Sequence, residues 1–284
     1  ACLIVTVADT APFPAADGEH PVLVVAHPDD EALWFSSILG RVRKIIVCYR
    51  DDTKNPAMAA ARKLSLADHP LAERIVDLGL EEGRSIDRAD WSAPEETADG
   101  LALRDPPSAA AYAEQAAALR RALPAELAGA TAVFTHNPWG EYGHEDHVQV
   151  CRIVTHVAID LGLTVWYSTY ASFKSLPLLR RYLGRGDQQY VLQPSDPALG
   201  EKIAAAYRRH GAWTWFDDYQ WFAHDCFIRG PLDKDHGQNA GWLAPINLLD
   251  PRHEPLWTPR PPAPLAQRIR RRLGRLVRGP GDSS

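Results

Sequence analysis

His27-Pro28-Asp29-Asp30-Glu31 directly follows the apolar run Val22–Ala26, so one imidazole and three carboxylates stand together where that run ends. Like charges packed this closely repel unless a cation sits among them. Imidazole with carboxylate is ligand chemistry for a divalent metal, zinc or iron being the natural candidates. The acids have a simpler alternative role: Asp29 or Asp30 would cap a helix starting near Glu31, since Asp is a favoured N-cap and acids suit a first turn. Capping leaves His27 unexplained. A second group, Thr135-His-Asn-Pro-Trp-Gly-Glu-Tyr-Gly-His144-Glu-Asp-His147, follows another apolar run, Ala132–Thr135. Two imidazoles three residues apart at a helix start can share a face and point into one cleft. Asp146 between them can orient a ring. Two strand ends that each deliver His and Asp point to a metal site.

The elements that must position these groups alternate. Strands are predicted at 22–26, 44–49, 75–78, 132–135 and 164–168, with helices at 31–39, 56–67, 108–127 and 148–161 between them. This βα alternation predicts an α/β, Rossmann-like fold: a mostly parallel sheet with helices on both faces, its sites outside the strand ends. A smaller aromatic-rich lobe follows. No GxGxxG stands after the first strand, which disfavours a dinucleotide-binding enzyme. Residues 81–107 are acidic, Pro-rich and irregular, and read as a long loop or lid. Beyond a predicted helix at 197–210 lies Trp213-Thr-Trp-Phe-Asp-Asp-Tyr-Gln-Trp-Phe222. Aromatics this dense either line a carbohydrate site or fill a small core.

The paired motifs, Ala26-His27-Pro28-Asp29-Asp30-Glu31 and Tyr142-Gly143-His144-Glu145-Asp146-His147, resemble the zinc-dependent N-acetylglucosaminyl deacetylases of the PIG-L/LmbE family in residue types, spacing and order. The likeness runs from about Val22 to Val165 and more weakly to Gly211. It implies that His27, Asp30 and His147 bind the metal, usually Zn2+, with Fe2+ or another divalent ion also suited to the set. It further implies that Asp29 is the general base and that a protonated His144 stabilises the tetrahedral oxyanion and helps the amine leave. Asp146 would hold His144 charged and aimed, and Tyr142 would be a mobile tyrosine reaching the same oxyanion, or else a rim aromatic. The family usually has proline where Glu145 stands, and its Ser-Gln signature is missing near His210-Gly211, where Ala212-Trp213-Thr214-Trp215 is found. The second departure bears on the wall that faces the substrate. Arg62 falls where the family carries a helical arginine that contacts the far end of the substrate. Asp51, at a strand end, and Trp139, in the second motif's loop, are the other candidate substrate contacts.

The reading that follows is removal of an N-acetyl group from an N-acetylglucosamine-type sugar, with release of acetate. The alternatives are an amidase for a larger acyl or thiol-conjugate amide, or a metal-containing binding protein. Residues 1–170 would form the α/β core, 171–254 the substrate-side part of the same domain, and 255–284 a Pro-rich linker with a basic tail. A formal charge of -5 argues against a nucleic-acid partner. Cys2, Cys48, Cys151 and Cys226 show no CxxC spacing and read as free thiols in a reducing compartment. The expected location is cytoplasmic, since no run is long enough to span a bilayer and the apolar start lacks a basic n-region. The tail from 265 on carries six arginines and one acid, which leaves the remainder at about -10. Leu265, Ile269, Leu273 and Leu276 form a helical stripe in it, so residues 265–278 would lie on an anionic membrane, bringing the enzyme to a lipid-linked amino sugar, dock on the acidic body, or stay disordered. Nothing in the sequence sets the oligomeric state.

Overall fold

The computed structural model describes residues 20–182, 189–232 and 245–249; Cys2, the N-terminal apolar residues, the linker and the basic tail lie outside them. The chain runs β1 (Pro21–Val25), α1 (Asp30–Trp34), β2 (Lys44–Asp51), α2 (Pro56–Ala67), β3 (Ile75–Glu81), α3 (Pro106–Leu127), β4 (Ala132–Thr135), α4 (Glu145–Asp160) and β5 (Thr164–Ser168). It continues through β6 (Tyr170–Ala171), α5 (Leu176–Leu179), β7 (Tyr190–Pro194), α6 (Pro197–His210), β8 (His224–Gly230) and β9 (Asn247–Leu248). The seven-stranded sheet has the order β3-β2-β1-β4-β5-β8-β7. Its first five strands are parallel and β8 runs antiparallel to both neighbours. Every residue of β1 and β4 is buried, as expected for central parallel strands covered on both faces. Alternation splits β1 between two cores. Leu23 and Val25 face α1, Leu66 of α2 and α6, while Val22 and Val24 face α3 and α4.

The chain leaves β1 for β2 and β3 on one side, then returns to place β4 on the other. This reversal makes the C-terminal ends of β1 and β4 the switch point, where open α/β sheets have their ligand crevice. Both sequence motifs sit there.

Two local structures differ from expectation, and both concern the site. The helix predicted over 31–39 stops at Trp34 and gives way to a 3₁₀ turn at Ser36–Ile38. So short a helix cannot satisfy its own final carbonyls. The aromatic segment satisfies them instead: Tyr219 Oη donates to Leu33 O (3.1 Å) and Trp221 Nε1 to Ala32 O (2.7 Å). Trp221 can approach because Gly200 of α6 offers no side chain; a Cβ there would meet the indole at 2.5 Å. The C-terminal aromatic cluster therefore shares the main core, with Trp215 edge-on to Trp34 at 5.2 Å, and encloses no core of its own. Second, the stretch read as a long loop or lid is a long loop, and it is strapped down. Ala89, Trp91 and Leu101 cover a satellite cluster with Trp139, Val148 and Leu178. The buried Glu96 carboxylate accepts from Tyr182 Oη and from Arg152 and Arg181. Cys48, Cys151 and Cys226 are buried free thiols. No helix among the described residues is long and apolar enough to cross a membrane.

Candidate metal centre and active-site cleft

Asp29 is the N-cap residue of α1 but adopts φ 94°, ψ −21°, and its side chain makes no capping bond. Asp30 does not cap either: its Oδ2 accepts the His27 backbone N–H (2.7 Å) and its Oδ1 accepts Trp34 Nε1 (3.1 Å). The capping alternative thus fails for both acids.

His27, Asp30 and His147 place one ligand atom each within 4.8 Å of one another, all three side chains buried. His147 Nε2 lies 3.3 Å from Asp30 Oδ1, and His27 Nδ1 lies 3.4 Å from Asp30 Oδ2. The remaining ring nitrogens are committed elsewhere: His147 Nδ1 to Glu141 Oε2 (2.9 Å) and His27 Nε2 to Asp146 Oδ2 (3.1 Å). Carboxylates that take the outer N–H of an imidazole leave the inner nitrogen bare, which is how metal-binding histidines are oriented. His147 Nε2 is buried with no hydrogen-bond partner, and such an orphan lone pair beside a carboxylate is what a cation would satisfy. The residues fit a divalent ion. Burial alone would lower the His27 pKa, but the Asp146 and Asp30 carboxylates outweigh it and raise it to about 10. Burial opposes ionisation of Asp30 too, yet His147 and His136 hold it well below the carboxylate range.

Two residues that sequence reasoning passed over complete the centre. His136, at the end of β4, stacks on His147 with ring centroids 3.9 Å apart. Its Nε2 accepts the Ala26 N–H at 2.9 Å. Burial would lower its pKa, but the neighbouring Glu141 and Asp30 carboxylates raise it to about 9. Glu141 Oε2 reaches Nδ1 of both His136 (3.2 Å) and His147 (2.9 Å). Burial would raise the Glu141 pKa, but these two rings bring it down to about 2. The loop that presents Glu141 needs glycine at 140 (φ 71°), where a Cβ would lie 2.6 Å from His144 O. Both residues stand inside the second motif, but no spacing rule separates them from its other polar positions.

Around the centre are the groups expected to act on substrate. Asp29 Oδ2 accepts two bonds from Thr214, from N at 3.0 Å and Oγ1 at 2.6 Å. Burial, and then the charge of Asp30, raise Asp29 to about 7 against the Thr214 bonds. His144 is the N-cap of α4, and its Nδ1 accepts the Asp146 N–H at 3.1 Å. The proton of this ring is therefore on Nε2. Burial, with His27 and His147 nearby, holds its pKa well below the ordinary value and keeps the ring neutral. While the backbone N–H of Asp146 holds His144 Nδ1, its carboxylate bonds His27 Nε2 and Ser85 Oγ (2.6 Å). Its place in the first turn of α4 aims it at the end of β1. Tyr142 packs edge-on against His147 (5.2 Å) and Trp215 (5.0 Å), and burial drives its hydroxyl pKa far up, leaving it a proton donor.

Asp29, Tyr142 and His144 line a cavity of about 280 Å³ with His27, Asp30, Leu33, Arg62, Glu82, Ile86, Thr214 and Trp215. Arg62 donates to Glu82 at 2.5 Å, while its buried Nε has no partner. Two expected substrate contacts are not brought here. Asp51 pairs with Arg50 outside the cavity. Trp139 is buried in the satellite core because Asn137 folds its loop inward, accepting the Trp139 N–H (3.2 Å) and donating to Tyr170 O (2.9 Å). Trp139 Nε1 is then spent on the same carbonyl at 2.7 Å. Glu145 is the first residue of α4, where proline is well tolerated, which accounts for the family's usual residue. Here its buried carboxylate instead anchors the strapped loop, accepting from Ala89 N (2.8 Å) and Trp91 Nε1 (3.0 Å).

The resemblance read from the two motifs holds: the family model for PIG-L, GlcNAc-PI de-N-acetylase, matches residues 22–158. No curated protein matches the chain in sequence. Among solved structures, a deacetylase–teicoplanin complex from teicoplanin biosynthesis is 14% identical over 76% of this chain and 99% of that chain, with a TM-score of 0.46. The zinc-inhibited form of teicoplanin deacetylase is 12% identical over 76% and 99%, with a TM-score of 0.46. The deacetylase of the A40926 pseudoaglycone is 11% identical over 75% and 97%, with a TM-score of 0.47.

Proposed function

We propose, from the match of residues 22–158 to the PIG-L family, that this protein is a metal-dependent N-deacetylase of an N-acetylglucosamine-type sugar. The observation that carries the proposal is the buried Asp29 lining one cavity with His27 and Asp30, two members of the His27–Asp30–His147 cluster in which His147 Nε2 is buried and unpartnered. Zinc or ferrous iron held by those three residues would supply Lewis acidity, lowering the pKa of a water toward ~7 and polarising the amide carbonyl.

The chain's own groups do the rest. Asp29, with one oxygen engaged by Thr214, accepts the proton of the attacking water on the other and passes it to the departing amine nitrogen. Water's oxygen bonds to the acyl carbon as the carbonyl π pair moves onto its oxygen, and when that oxyanion collapses the C–N bond breaks, giving acetate and a free amino sugar. His144, neutral with its proton on Nε2, donates to the developing oxyanion, and the Tyr142 hydroxyl is the second donor. This differs from the sequence expectation of a protonated His144 and assigns proton delivery to Asp29. Arg62 and Glu82 offer a donor and an acceptor side by side, which suits neighbouring sugar hydroxyls. A cavity of about 280 Å³ fits one sugar unit with a short acyl group.

Acetate release from free, nucleotide-linked, lipid-linked and aglycone-bearing N-acetylglucosaminides, with metal content quantified, tests the reading. Metal-dependent release from at least one class is expected. No release from any, with release from a longer N-acyl sugar, would transfer the chemistry to the larger-acyl alternative. Specific sugar binding that Asp29→Ala leaves unchanged, without turnover of either kind, would favour a binding protein.

A further inference from the structure

We propose that Thr214 is a positioning residue for Asp29, selecting which carboxylate oxygen takes the proton. The inference rests on the deacetylase reading for what Asp29 does, and on geometry alone for how Asp29 is held. Asp29 has φ 94°, a backbone state that a non-glycine residue keeps only when its surroundings over-determine it. Those surroundings reach it from α6 by two routes. Tyr207 Oη donates to Glu31 Oε1 (2.7 Å), and Glu31 Oε2 accepts the Asp29 N–H (3.1 Å), which fixes the backbone. The chain then turns at Gly211, where Ala212 N–H returns to Tyr207 O (2.8 Å), and this brings Thr214 over the Asp29 side chain. Both Thr214 donors fall on Oδ2, so Oδ1 is the oxygen left free.

Thr214 is itself solvent-exposed at the cleft while Asp29 is 2% exposed. Its hydroxyl is therefore not needed to fill the core, and changing it tests positioning more than folding. Thr214 lies in the segment that replaces the family's Ser-Gln signature, so this chain's substrate-facing wall also holds the base.

The test compares Thr214→Val, which keeps the shape and the backbone donor, with Thr214→Ser, which keeps the hydroxyl. For each, kcat and KM are measured on the best N-acetylglucosaminide, metal content is quantified and a crystal structure is determined. Thr214→Val is expected to lose roughly 10- to 100-fold in kcat, with KM within about threefold and metal unchanged, and to show the Asp29 carboxylate rotated or in two orientations. Thr214→Ser is expected to stay within about threefold of the wild-type kcat, with Asp29 unmoved. A Thr214→Val protein with Asp29 in place and kcat intact, or a Thr214→Ser protein that falls as far as the valine variant, would overturn the proposal. Wild-type protein that hydrolyses no N-acetyl sugar would instead overturn the deacetylase reading, and the position of the carboxylate in Thr214→Val would still decide the role of Thr214.

Discussion

The metal side and the substrate side of the cleft are assembled in different ways. His27, Asp29 and Asp30 leave β1, and His136, Glu141, His144 and His147 leave β4 and open α4, so two adjacent strand ends carry the whole cation centre. Arg62 comes from α2, Glu82 and Ile86 from the strapped loop, and Thr214 and Trp215 from the turn after α6. The first set is fixed by the sheet and the start of a helix, which hold short peptides in defined geometry. The second converges only when distant segments pack. On the proposed reading the metal ligands come from adjoining strand ends, and the wall facing the substrate, Thr214 behind Asp29 included, comes from segments far apart in sequence.

The comparison predicts graded effects, the largest on the metal side. His147→Ala should abolish both metal binding and turnover, read by metal analysis and acetate release together, because the unpartnered Nε2 has no substitute. Asp29→Asn should lower kcat by roughly 10²- to 10⁴-fold and leave metal content unchanged, which separates base from ligand. Glu141→Gln should weaken metal affinity by about 10- to 100-fold in a competitive chelator titration, since the amide cannot orient the His147 ring as a carboxylate does. On the substrate side, Glu82→Gln should raise KM about tenfold with kcat nearly kept. A large loss of kcat from this variant would break the division between the two sides.

The metal side also carries a pH effect on stability. The proton that His27 holds in metal-free protein stabilises the fold completely below 6.5, and this contribution is lost as pH rises through about 10. Glu141 stabilises above its ordinary 4.5 and loses that contribution as pH falls toward about 2. Chelated protein should therefore lose roughly 5 °C or more in melting temperature between pH 6.5 and 10. Metal-loaded protein should change less, because the cation displaces the His27 proton.

The same contrast explains what could be read from the chain beforehand. The strands, most helices and both motifs were legible because apolar runs, turn residues and closely spaced ligands are local signals. α1 was overestimated because its carbonyls are capped by Tyr219 and Trp221 from far along the chain. His136 and Glu141 lay in plain view, but their roles depend on a ring stack and a shared carboxylate oxygen that spacing does not encode. Thr214 and Glu82 carried no local signal. Trp139 misled because nearness in sequence to the centre was taken for nearness in space, and the Asn137 turn buries it instead.

The most direct test of the metal-dependent deacetylase is to strip the protein with chelator, return zinc or ferrous iron in sub-stoichiometric steps, and follow acetate release from an N-acetylglucosaminide that the untreated enzyme cleaves. The account predicts turnover rising linearly to a break at one metal per chain, and none at any metal level in Asp29→Asn or His147→Ala beyond a small residue. Full turnover in stripped protein, or metal-restored turnover in the His147→Ala variant, would contradict it.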